Sequence, residues 1–260
     1  MDRTDTDSAT SGDAEGGSPC RRLPAPEMGS LPRARLDAMR EAAATLLQCQ
    51  QVLRKSSMSV VSEVLRGQGE FRVWKRYPKG DVFDPDSHSH YFYHAHVRDE
   101  MVTGENGHFH LFLRPAYLAP DRAPWALQGA PVPVEPDKRF VHLCAISVDG
   151  FGRPLRLFTT NRWVTDETLY RAGDVIAMLP HFAMDLAHPN WAVNRWLTAM
   201  VALYRPQIEG LLALRDELLD EWSRRHPDGH VTENRQLQNT SEIAVDIAGQ
   251  IAAIEAALGR

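Results

Sequence analysis

Beyond residue 30 the apolar positions change period twice. Leu36, Met39, Ala43, Leu46, Leu47 and Leu53 recur at helical spacing, which predicts an amphipathic helix over residues 33–54. SVVSEVLRG continues as a short second helix that stops at Gly67. The middle third instead reads as strands. EFRVWKRY, SHYFYHAHV, HFHLFLR, FVHLCAISVD and LRLFTTNRW are rich in aromatic and β-branched residues and are parted by Gly, Pro, Asn and Asp. Asp149-Gly150-Phe151-Gly152 is expected to turn the fourth into the fifth as a hairpin. The proline-rich YLAPDRAPWALQGAPVPVEPDK between the third and fourth is expected to be an irregular surface loop, long enough for a lid. After Trp163 the helical period returns, in short segments beginning near Thr165 and Asp174, then in a long helix from Asn190 to His226 that Pro206 must kink or break. In the last stretch Ile243, Ile247, Ile251, Ile254 and Leu258 are spaced for a closing helix, while its first half also alternates like a strand.

These elements predict an α+β fold, an antiparallel β-sheet or partial barrel core with flanking N- and C-terminal helices. Residues 1–30, polar and rich in Gly, Ser and Pro, are expected to be a disordered tail, and residues 31–260 a single globular domain. Composition narrows the function classes. With 43% hydrophobic and 24% charged residues the chain is of ordinary soluble type, and a net charge of -5 argues against nucleic acid as a partner. No apolar run approaches the ~18 residues of a membrane span. The N-terminus also has no signal-like h-region, so no membrane partner and a cytoplasmic location are expected. Cys20, Cys49 and Cys144 are odd in number, far apart and form no CxxC pair, so any metal must rely on imidazole and carboxylate.

Histidine changes the picture most, because six of the chain's eleven lie between residues 88 and 110. Side chains alternate along a strand, so His88, His90, His94 and His96 share one face with Phe92, and Tyr91, Tyr93, Ala95 and Val97 take the other. His108, His110 and Phe112 likewise share a face opposite Phe109, Leu111 and Leu113. If the two strands pair antiparallel, two HxH pairs aim four imidazoles at one point or at two adjacent points, and a pair at i and i+2 can chelate one ion. His94, His96, His108 and His110 are therefore the expected metal ligands, with His142 next, on a face it is expected to share with Cys144 and Ile146. Glu105, brought near His108 by the GENG turn, is a candidate carboxylate ligand or general base, and Arg114 a candidate substrate anchor. His88 and His90 follow a turn-like DPDS and are less secure. Asp81, Asp84 and Asp86 lack the glycine and terminal glutamate of a calcium loop, so a solvated turn is expected. For the two Asn-Arg-Trp tripeptides, at 161–163 and 194–196, a packing role is expected.

The HxH strand followed by a carboxylate and a second histidine strand resembles the metal-binding strands of cupins, without their glycine-spaced motifs and with a helical C-terminal third that is not cupin-like. GHFHLFLRP has a passing likeness to the strand of histidine-triad nucleotide hydrolases, but Phe112 stands where the nucleophile would be. From about residue 33 onward the chain resembles a bacterial family of unknown function, through FYHAH, GENGHFHLFLRP, RLFTTNRWVT and VNRWLTAM. That resemblance implies no activity. The functional expectation therefore rests on the histidines: a metal-dependent enzyme using a divalent transition metal, iron first, with manganese or zinc as alternatives. An oxidoreductase acting on a small-molecule substrate comes first, and the alternatives are a metal-dependent hydrolase and a non-catalytic metal-binding or accessory protein. The long terminal helices suit either their own sheet or a homo-oligomer interface.

Overall fold

The computed structural model describes residues 19–97 and 101–259, so most of the expected tail (1–18) lies outside the described residues. Seven strands make one open sheet: β1 (Arg21–Arg22), β2 (Tyr77–Phe83), β3 (Ser89–His94), β4 (Gly107–Leu113), β5 (Val141–Val148), β6 (Pro154–Thr160) and β7 (Asn239–Ala244). Their spatial order is β1-β7-β6-β5-β4-β3-β2. Every neighbouring pair is antiparallel except β1 with β7. The fold is α+β, with flanking helices and a sheet that does not close into a barrel.

Alternation on β3 and β4 decides what each face meets. Tyr91, Tyr93, Phe109, Leu111 and Leu113 enter the main apolar core with Cys144, Ile146 and Leu157. That core is completed by residues of α1 (Arg33–Lys55), α2 (Val60–Leu65), α5 (Ala172–Met178), α6 (Trp191–Leu203), α7 (Arg205–Arg225) and α8 (Ile247–Leu258). Tyr91 carries its hydroxyl inward and donates it to Asn194 Oδ1 on α6 at 2.7 Å. Asn194 Nδ2 in turn donates to the carbonyls of Leu186 and His188. The first tripeptide is structural too, since Arg162 in α4 (Arg162–Thr165) pairs with Asp166 and Glu233.

Local signals account for the helix ends. Ser59 and Ser62 form a capping box that starts α2. Asn190 accepts from the N–H groups of Ala192 and Val193 to start α6. Pro206 lies in the first turn of α7, where its missing N–H costs nothing, so the expected long helix is two helices broken at Tyr204. The ambiguous last segment divides into strand β7 and then α8. Arg171, not Asp174, precedes α5. The proline-rich connection carries one short helix, α3 (Pro115–Leu118), and 3-10 turns.

Three expectations differ. EFRVWKRY is a loop, and the first long strand begins only at Tyr77; the loop wraps Tyr77, whose hydroxyl accepts the Arg72 N–H at 2.7 Å, and leaves Phe71, Val73 and Trp74 exposed. Its alternation has no strand beside it to be read against. Order also starts before residue 30. Arg21 and Arg22 pair beside Ser241 and Glu242, Arg21 is ion-paired to Glu221, and Met28 is buried, so charge anchors a segment whose hydropathy is low. Finally, the register between β4 and β5 slips at Leu111/Phe112, so that Leu111 faces Cys144 while Phe112 faces His142. This β-bulge turns His142 off the Cys144 face and onto the histidine face, a re-aiming that bulges commonly perform beside functional sites.

Candidate metal centre

The pairing register lays the second face out in rows. One row runs His94, His108, Ser147, Arg156, and the next runs Phe92, His110, Ala145, Phe158. Opposed side chains on one face are about 5 Å apart, so the two HxH pairs converge. His94 Nε2 lies 2.8 Å from His108 Nε2 and 3.2 Å from His96 Nε2. A ring nitrogen carries either one proton or one lone pair, so His94 Nε2 cannot serve both neighbours through ordinary hydrogen bonds. A cation accepts every lone pair at once. Nitrogens bound to one ion at about 2.0–2.1 Å stand roughly 2.9–3.4 Å apart, close to these separations.

His110 completes the set. Each of His94, His108 and His110 offers a ligand atom within 4.8 Å of the others'. His110 Nε2 is buried with no hydrogen-bond partner, whereas its Nδ1 is 3.0 Å from His142 Nε2. His96 is buried beneath the ring of Trp74 at 4.2 Å between centroids.

Protonation suits ligation. Burial, then the neighbouring positive charge of His108, His96 and Arg76, lowers His94 to about 2. Burial, then the neighbouring His108, His142, His94 and His96, lowers His110 well below its ordinary value. Both imidazoles are therefore neutral near pH 7, as metal ligands must be. Glu105 behaves oppositely: burial pushes it up, but the hydrogen bond and charge of His108, with Arg156, bring it below the usual carboxylate value.

Glu105 lies behind His108 rather than among the converging nitrogens. Its Oε1 is 2.7 Å from His108 Nδ1, and its Oε2 faces Arg156 Nη2 at 3.6 Å. Arg156 Nη1 is held at 2.6 Å by Glu242. A carboxylate on the far nitrogen of a ligating histidine fixes its tautomer and orientation and raises its basicity. His142 is likewise set back, engaged with His110 Nδ1, so of the five expected ligands four come together and the fifth backs one of them.

Arg114 is not at this site. It caps α3 beyond the end of β4, its guanidinium lies 4.2 Å over the Phe83 ring, and Nη1 donates to the Asp137 carbonyl. Four strand positions separate it from His110, about 13 Å of chain. His88 stacks on Tyr117, and His90 stacks between Phe83 and Phe112 at 5.0 and 4.4 Å. Both belong to an aromatic stack away from the converging nitrogens. Asp84 closes a turn by accepting from the N–H groups of Asp86, Ser87 and Asp185.

A narrow cleft of about 20 Å³ opens onto His96, His108 and His110. About 10–15 Å³ is enough for one water. Glu105 lines it too, and its remaining walls are Met101, Arg156, Phe158, Thr160, Val164, Gln238 and Asn239. Sequence reading missed these residues. Arg156, Phe158 and Thr160 do occupy alternate positions of LRLFTTNRW, a signal usable once β6 is known to lie beside β5. Gln238 and Asn239 left no comparable signal, because nothing local places the start of β7 here.

A family model described as Domain of unknown function (DUF6969) matches residues 40–245, so the chain belongs to that family. No curated protein and no solved structure matches it.

Proposed function

We propose that this member of the DUF6969 family is a metal-dependent enzyme whose divalent transition ion is held by His94, His108 and His110, with His96 beside them on the cleft wall. The observation that carries this reading is His110 Nε2, buried without a partner beside two other converging imidazole nitrogens. An unsatisfied buried polar group costs about 1–3 kcal/mol. A cation at the point of convergence removes that cost and explains why four polar rings crowd one sheet face.

Imidazole suits iron, zinc, copper and nickel, and three protein nitrogens leave positions open to a reactant. Iron is the first choice. Bound there, it would supply dioxygen activation for oxidation of a small-molecule substrate, the cleft having room for a molecule the size of water or dioxygen. Phe158, Met101 and Val164 limit water at that entrance, Gln238 and Asn239 offer amides to a polar substrate, and Glu105 and His142 hold two of the ligand rings in place.

One observation favours a second reading, zinc-dependent hydrolysis. Among the described residues no carboxylate joins the nitrogen cluster, since Glu105 is engaged by His108 and Arg156. A nitrogen-only set leaves the ion's charge undiminished, and this favours acidification of water.

The test is to reconstitute the protein anaerobically with Fe(II) and, separately, with Zn(II). Oxygen uptake over a panel of small-molecule substrates and hydrolysis of ester and phosphoester probes are then measured. Iron-dependent oxygen uptake that His110→Ala abolishes is the expected result. Hydrolysis by the zinc form alone would select the second reading. Tight metal binding with no activity, and with an iron form that does not take up nitric oxide, would contradict an open coordination position and leave a non-catalytic metal protein.

A further inference from the structure

His142 and His90 are buried histidines that the ligand set leaves over, and of the two His142 touches a proposed ligand. His142 is 1% exposed, lies on the histidine face only because of the bulge in β5, and its backbone N–H donates to Glu167 Oε2 at 2.8 Å. Glu167 is itself 1% exposed, so the strand is pinned at this residue from within the protein. The side chain spans two groups: Nε2 is 3.0 Å from His110 Nδ1, and Nδ1 is 3.4 Å from Thr160 Oγ1.

From this geometry we infer that His142 is a positioning residue that fixes the tautomer of His110, so that His110 Nε2, and not Nδ1, is presented to the metal. The inference rests on the metal reading above. A neutral imidazole that ligates through Nε2 carries its proton on Nδ1. The His110 Nδ1–H then donates to His142 Nε2, which therefore holds a lone pair. His142 carries its own proton on Nδ1 and directs it at the Thr160 hydroxyl. One arrangement of protons satisfies all three residues, and within it His142 Nε2 is committed to His110 and unavailable to the ion.

The two ligand supports then differ in kind. His108 is backed by the carboxylate of Glu105, whose negative charge strengthens its donation to the metal. His110 is backed by a neutral acceptor that orients the ring without adding charge. His142 therefore acts through geometry, and a substitute that keeps an acceptor at the Nε2 position should retain its effect.

The test compares His142→Gln with His142→Asn in the full chain. Glutamine places an amide oxygen near the position of Nε2, while asparagine is too short to reach His110 Nδ1. Both are polar and of modest size, and folding of each is checked by near-ultraviolet circular dichroism. Co(II) is the probe: affinity is read by competition with a chromophoric chelator, and coordination number by the intensity of the visible ligand-field bands. The asparagine variant is expected to bind Co(II) roughly 10–100-fold more weakly, as loss of such an outer partner typically does. The glutamine variant is expected to recover most of that loss, and both should keep the wild-type band intensity. Equal affinity for wild type and the asparagine variant would overturn the inference and leave the proposed metal site standing. A band intensity altered as in His110→Ala would also overturn it, by making His142 a ligand. If the wild type bound no Co(II), the metal reading would fail and this one with it.

Discussion

Glu105 and His142 stand behind His108 and His110, so each can be changed without touching a proposed ligand. Glu105→Gln keeps an oxygen near His108 Nδ1 but removes the charge, and it leaves Arg156 with Glu242 as its remaining carboxylate partner. Metal affinity is expected to fall roughly 10-fold, at the lower end for such partners, as measured by chelator competition. An unchanged affinity would mean that the carboxylate is merely structural. A second prediction follows from burial of the histidines. A free imidazole titrates near pH 6.5. Burial lowers His90 and His142 to about 3, and His110 well below its ordinary value. Below pH 6.5 the unfolded chain therefore binds protons that the folded chain refuses. Stability from these groups is complete above that pH and declines as pH falls, by about 1.4 kcal/mol per unit for each histidine. After metal removal by a chelator, the free energy of urea unfolding should drop by roughly 2–4 kcal/mol between pH 7.5 and 5.5, because Glu167, raised by burial to about 7, takes up a proton in the folded state and offsets part of the histidine loss. A flat profile across that window would contradict the burial of three neutral imidazoles. At this scale the sequence was most informative: the i, i+2 spacing of His94 with His96 and of His108 with His110 was enough to bring four rings together. Roles were less legible, because whether a histidine presents Nε2 to a metal or to another ring depends on neighbours that only the register supplies.

Between elements, the β3–β4 pairing sets how the four histidines converge and brings one glycine close to its neighbours. A Cβ at Gly107 would meet the His94 carbonyl oxygen and the Tyr93 hydroxyl, each at 2.5 Å. Both neighbours are fixed: His94 is paired opposite His108 in the sheet, and the Tyr93 hydroxyl bonds Asn106 Oδ1 at 2.7 Å. Gly107→Ala is expected to destabilise the fold by about 1–3 kcal/mol, the usual cost of overpacking. Metal affinity should fall as His94 moves away from His108. Thermal unfolding with and without Zn(II) checks both, and a variant with unchanged stability and unchanged metal-induced shift would contradict the close packing. Helices were legible where the period was long and uninterrupted, as in α1, and Pro206 located the break between α6 and α7. The loop before β2 was misread because Phe71, Val73 and Trp74 imitate strand alternation with no partner strand. The bulge at Leu143 was beyond reach, since a single extra residue in β5 leaves no signature in a strand apolar on both faces. That extra residue moved His142 from one face to the other.

In the whole molecule, one sheet serves two purposes. One face carries the apolar core against the helices, and the other gathers buried His90, His108, His110 and His142 with His94 and Phe92. This division could be read from alternation in SHYFYHAHV and HFHLFLR alone. The cleft could not, because Met101, Arg156, Thr160, Val164 and Asn239 come from distant parts of the chain and meet only through the strand order. Among the described residues no helix is long and apolar enough to cross a membrane. The most direct test is the metal content of protein purified without an affinity tag, measured by elemental analysis beside a His94→Ala/His108→Ala variant. The account predicts close to one transition-metal ion per chain in the wild type and none in the variant. A wild type that holds no metal, even after anaerobic reconstitution with Fe(II) or Zn(II), would contradict it.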